Sequence, residues 1–179
     1  MQGQVLLVAL IVPGSVEAEL GRVQAAVFSE HGLVSAVALP PLIPVAFPPE
    51  VPGDLLATLD RSVAAPWRIR VTGPLWTESA LYLGIDSGGM WGTLRRQALA
   101  LCDPEPAAPF IPAEGIFMGC GDASLEQRNA ITPAAPSLSF SSSEIAILRL
   151  DFPHGGGGWW REVYWEFLEQ RPLRGRREQ

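Results

Sequence analysis

Leu39-Pro40-Pro41-Leu42-Ile43-Pro44-Val45 and Phe110-Ile111-Pro112-Ala113-Glu114-Gly115-Ile116 are two short apolar runs broken by proline, 71 residues apart when counted from Leu42 to Ala113. Each sits before a short helical pattern and a pair of strand-like runs, and the surroundings of one echo those of the other. Working outward, Gln4 to Val12 reads as a buried strand and Pro13-Gly14-Ser15 as a turn with Ser15 as N-cap. Leu20, Val23, Val27 and Phe28 recur at helical spacing and predict a helix over 16–30, closed by Gly32. Ser35 to Phe47 reads as extended, and Pro44 within it predicts an edge or a bulge. Leu55, Leu56, Leu59 and Val63 predict a second helix.

Trp67–Thr72 and Ser79–Ile85 read as a hairpin around Gly73-Pro74, and Asp86-Ser87-Gly88-Gly89 leads into a third helix over 90–102. After a proline-rich link, Phe110–Gly121 reads as strand and Leu125–Asn129 as one helical turn. Ser137–Ser142, Glu144–Asp151 and Trp159–Leu168 read as strands, with Gly155 to Gly158 as a loop tip. The order β-α-β-α-β-β-α-β-α-β-β predicts an α+β fold of two related lobes.

Composition narrows the class. The 179 residues are 47% apolar and 18% charged, which excludes a disordered chain, and 18 Gly with 17 Pro exclude a coiled coil. The run Val5–Val12 is too short to span a bilayer, and no base precedes it as in a secretory signal. The net charge is −6, and all thirteen basic residues are Arg. Residues 1–60 hold six acids against Arg22, so a long duplex nucleic acid is not an expected partner. Cys102 and Cys120 fit no metal spacing and read as free buried thiols, which suits the cytoplasm. No metal or cofactor is expected. The expected organisation is one domain over 1–170 and an Arg-rich tail over 171–179.

The two proline-broken runs, the stretch Trp67 to Trp76 followed by Ala80-Leu81-Tyr82-Leu83, and the ending Ile145–Leu150 with Tyr164–Leu168 together resemble the 2H phosphoesterase superfamily. That superfamily includes the 2′-5′ RNA ligase-like proteins and cyclic phosphodiesterases. The resemblance implies two pseudo-symmetric lobes of antiparallel sheet and helices around a central cleft. It also implies a His-x-Thr motif in each lobe. Here the first His falls on Leu42 and its Thr on Pro44, while the second His falls on Ala113 and its Thr on Gly115. No catalytic residue carries over.

The physics of the motif shows what is lost. In a strand, residues two apart share a face, so His-x-Thr aims an imidazole and a hydroxyl into one cleft. Two such strands supply an acid, a base and two hydroxyl donors around one phosphate, and each proton transfer is worth roughly 10²–10⁴ in rate. Leu, Pro, Ala and Gly have no side-chain donor or titrating group. The two histidines do not replace the motif. His31 reads as a helix C-terminal residue and His154 as a loop residue, and neither has a hydroxyl two positions on. Glu114 enters the cleft only if the strand slips by one residue.

Other candidates are weaker in chemistry. Asp86 to Gly89 reads either as a turn and cap or as an anion seat at a helix start. Trp67, Trp76 and Trp91 are expected in the core. Trp159, Trp160, Tyr164 and Trp165 cluster where the superfamily's cleft is bordered. Arg70, Tyr82, Glu114, Trp160 and Tyr164 are therefore the candidate ligand contacts. The expected function is a catalytically degenerate binding module for a nucleotide, an RNA end, another small ligand or a protein partner. The alternative is an active phosphodiesterase with displaced catalytic groups.

Overall fold

The N-terminal apolar run forms β1 (Gly3–Ile11), and its alternate side chains enter two different cores. Leu7 and Ala9 join an inner cluster, while Val8 and Leu10 join an outer one. A strand buried on both faces needs apolar residues at every position, which is why this run does not alternate. The computed structural model describes residues 3–64, 67–102, 108–120, 125–131, 133–142, 144–152 and 159–174.

Helix α1 (Gly14–His31) starts one residue before the expected cap, with Pro13 preceding it and no side-chain cap. The Pro13 carbonyl accepts from the Val16 and Glu17 N–H groups, so backbone bonds stand in for Ser15. Gly32 ends the helix at φ 67°, and its N–H bonds to the Phe28 carbonyl. Buried Gln24 uses its Nε2 to donate to the Leu39 and Phe117 carbonyls, 3.2 Å each.

The expected long strand over 35–47 divides into a 3₁₀ turn (Val34–Val37) and β2 (Leu42–Ala46). Ser35 is the reason. Its Oγ accepts from the Cys120 N–H at 2.8 Å and donates to the Cys120 carbonyl, a long-range clamp that local propensity does not encode. Pro44 sits on an edge strand, opposite a register shift between Val8 and Ala9, as a proline in a sheet requires.

Helix α2 (Leu55–Ser62) follows, then β3 (Ile69–Trp76) and β4 (Ala80–Asp86). Gly73-Pro74 is not the hairpin turn but lies within β3, because Thr77 makes the turn three residues later. Its Oγ accepts from the Ala80 N–H at 3.0 Å. Pro74 is tolerated because β6 (Ser139–Phe140) pairs only with Ile69 and Arg70, leaving that part of β3 an open edge. Helix α3 (Met90–Leu101) leads to β5 (Gly115–Cys120) and α4 (Leu125–Ala130). β5 starts five residues later than expected, since Phe110 leaves the strand path to bury its ring. β7 (Glu144–Phe152), a 3₁₀ turn (Trp159–Glu162) and β8 (Tyr164–Pro172) complete the chain. The turn replaces the first part of the strand expected from Trp159. β8 runs past residue 170, so Arg171 belongs to the sheet and not to a tail. The Arg174 N–H then donates to Asp60 at 2.7 Å.

Two antiparallel sheets result, in the orders β2-β1-β7-β8 and β5-β4-β3-β6. The units β1-α1-β2 and β4-α3-β5 occupy equivalent places, one in each lobe, and this is the two-lobed α+β architecture expected. β2 and β5 lie side by side where the lobes meet. The outer cluster packs α1, α2 and α3 on the sheets through Leu20, Leu56, Leu59 and Leu94. Each fully buried Leu contributes roughly 1.5–3 kcal/mol. The inner cluster lies between the sheets and contains the candidate site.

Candidate functional site

The motif positions of β2 face inward. Leu42 pairs with Ile11 and Pro44 with Ala9, on the face that carries Leu7 and Leu148. Leu42 is fully buried in the inner cluster. Pro44 is also buried, and its carbonyl accepts from Trp91 Nε1 at 2.9 Å. Trp67 and Trp76 likewise donate to backbone carbonyls and, like Trp91, are half-buried at the margin of the outer core. Ala113 lies just before β5 and packs against the inner cluster.

Gly115 opposes Gly84, and the reason for glycine is steric. A Cβ there would lie 2.7 Å from Tyr82 Cβ and 2.8 Å from the Leu83 carbonyl oxygen. Gly115→Thr, the change that would rebuild one half of a motif, is therefore expected to cost about 3 kcal/mol in urea unfolding, at the upper end of overpacking. A near-neutral result would mean that β4 and β5 are not in such close approach.

Four aromatic rings stand between the sheets at the motif positions. Phe47 meets Phe110 edge-on at 5.0 Å, Phe110 meets Phe117 at 4.6 Å, and Tyr82 meets Phe117 at 6.1 Å. All four are fully buried. Tyr82 donates its hydroxyl to the Ile111 carbonyl at 2.6 Å, and burial pushes its phenol far above the usual range. It is a core residue and not a surface for a ligand. The sequence marked Phe110 only as a motif flank and passed over Phe47 and Phe117, which carry no chemical signal.

Glu114 turns away from this cluster. Its Oε1 accepts from the Ser87 N–H at 3.2 Å and from the Ser87 hydroxyl, while Ser87 Oγ accepts from the Trp91 N–H at 3.1 Å. The carboxylate thus fills the start of α3, where the helix dipole favours negative charge. Of the two readings of Asp86–Gly89, the structure shows the turn and cap, with Ser87 Oγ accepting from the Trp91 N–H and Glu114 bonded to Ser87. Arg68, Trp67 and Gly89 line a cavity of about 500 Å³ beside it.

Arg70 lies opposite Asp86 at the open end of the second sheet's inner face, and their side chains form an exposed ion pair at 2.9 Å. The Gly88 N–H and the Arg70 guanidinium hold the Asp86 carboxyl below the usual aspartate range. Trp160 is half-buried against the inner cluster. Tyr164 pairs with Asp151, and so projects from the face opposite the inner cluster. The inner face of β8 belongs instead to Trp165, opposite Leu150, and Phe167, opposite Leu148. Both are about 40% exposed, and their rings meet edge-on at 5.7 Å. His31 is exposed at the end of α1, and His154 lies outside the described residues, as do Gly155 to Gly158 and the chain beyond Arg174.

Cys102 and Cys120 are buried and form no disulfide. Among the described residues, no cluster of His, Cys, Asp and Glu has the makings of a metal site. No described helix is long and apolar enough to cross a membrane.

No family model matches the chain, and no curated protein matches it in sequence. Solved structures match its fold over almost its whole length. TT0787 of Thermus thermophilus superposes with a TM-score of 0.62 at 21% identity, covering 96% of this chain and 98% of that one. E. coli LigT complexed with 3′-AMP gives 0.60 at 18% identity, covering 96% and 98%. A structure described as a phosphoesterase also gives 0.60 at 18% identity, covering 96% and 99%. LigT has further been solved with NADP+, ATP and phosphate. The chain shares the fold of these solved structures over almost its whole length.

Proposed function

We propose that this protein is a catalytically degenerate 2H-fold binding module, which holds a nucleotide or an RNA end on its inner face and does not cleave it. One observation carries the reading. Leu42, Pro44, Ala113 and Gly115, which the resemblance aligns with the motif imidazoles and hydroxyls, carry neither group, and Leu42 is fully buried in the inner cluster with Phe47, Phe110 and Phe117. The general acid–base steps, each worth roughly 10²–10⁴ in rate, have no side chains there to perform them. Of the three candidates for a displaced site, His31, His154 and Glu114, the last is engaged with Ser87 before α3.

The ligand class is inferred from the fold's neighbours, of which LigT has been solved with 3′-AMP, ATP and NADP+. Trp165 and Phe167 offer exposed π-faces to a base, and Arg70 offers a guanidinium to a phosphate. Buried thiols that form no disulfide suit a reducing compartment, and we place the protein in the cytoplasm.

The test is a titration of 3′-AMP and ATP followed by tryptophan fluorescence, beside a hydrolysis assay on 2′,3′-cyclic nucleotides and 2′-5′-linked dinucleotides. Binding without turnover is expected, and Trp165→Ala should weaken it about tenfold, within the range for one base stacked on one ring. Turnover by the natural chain would overturn the degenerate reading. Failure to bind any of these nucleotides would overturn the ligand class.

A further inference from the structure

We propose that β8 is a self-association edge, which pairs antiparallel with β8 of a second copy of this chain. The four sheet edges are not alike. β2 and β5 lie beside one another, and β6 is two residues long. β8 is nine residues long and exposed at every position. Soluble proteins usually blunt such an edge, because its free N–H and C=O groups are a template for another strand. Here it also displays Tyr164, Trp165, Phe167 and Leu168.

Charge selects the occupant. Glu169 and Arg171 have no ion-pair partner among the described residues, and both lie on one face, opposite Ile147 and Ile145. Gln170 stands between them. A two-fold axis through Gln170 places Glu169 of each copy opposite Arg171 of the other, so both free charges are paired and paired twice. Leu168 then lies beside Pro172 of the second copy. A parallel arrangement in register would oppose Glu169 with Glu169, and like charges directly opposite are destabilising. The strand is complementary to itself in the antiparallel direction, and so the surface fits another copy.

The test is sedimentation velocity of the full chain from low to high micromolar concentration. A monomer–dimer equilibrium is expected. Arg171→Glu and Glu169→Arg should each weaken it about tenfold, since every substitution acts at two symmetric contacts. The double exchange should restore it. A natural chain that stays monomeric overturns the proposal. A dimer indifferent to either exchange, or one not rescued by the double exchange, overturns it as well. If a variant does not fold, hydrogen exchange on the natural chain decides. Amides within 168–171 should gain protection on concentration, and unchanged exchange there would place the contact elsewhere.

Discussion

Gly119→Ala should lower the stability of the protein by about 2–6 kcal/mol, combining backbone strain with overpacking. Gly119 has φ 133°, a conformation that side chains rarely adopt. A Cβ there would also lie 2.8 Å from Leu33 Cδ2, 3.1 Å from the Ala36 nitrogen and 3.1 Å from Ser35 Oγ. Ser35 has little room to yield, because the same oxygen bonds both backbone groups of Cys120. The strain falls at the junction of β5 with the 3₁₀ turn before β2, where the two lobes are fastened. Urea unfolding measures the loss. A cost below about 1 kcal/mol, the level of an ordinary substitution, would show that this junction is loose.

Phe110→Ala should cost about 3–5 kcal/mol, as large-to-small changes at fully buried aromatic positions do. Phe110 touches Phe47 on one side and Phe117 on the other, so its removal leaves a void lined by rings and leucines. An apolar void of this kind stays dry and takes up a small aromatic such as benzene. Benzene should therefore raise the melting temperature of the variant and not that of the natural protein. This result bears on the proposed function, because the void opens within the inner cluster that contains Leu42. A cost below about 1 kcal/mol, or no response to benzene, would mean that Phe110 does not fill that space.

Much of the fold was legible because apolar periodicity reports directly on burial. α1, α2, α3, β4 and β7 lie close to where spacing predicts them. The errors share a cause: a partner distant in sequence. The 3₁₀ turn at Val34–Val37 depends on Ser35 reaching Cys120, and the late start of β5 on Phe110 reaching Phe47 and Phe117. The β3–β4 turn moved because the open edge beside Pro74 let the strand continue. At the site, the sequence singled out Leu42, Pro44, Ala113 and Gly115, none of which carries an imidazole or a hydroxyl. It could not reveal that Tyr82 is sealed, that Glu114 serves the start of α3, or that Trp165 and Phe167 hold the inner face of β8.

The sequence by itself determined the two-lobed α+β pattern and the absence of a side-chain donor or titrating group at Leu42, Pro44, Ala113 and Gly115. Both follow from residue type and spacing, which set periodicity and the supply of donors and titrating groups. Only the tertiary structure decided what surrounds these four residues. Whether an apolar side chain walls an open cleft or fills it depends on what the facing sheet brings against it. Here that is Phe110 and Phe117 from the second lobe, packed on Phe47 and Leu42 of the first.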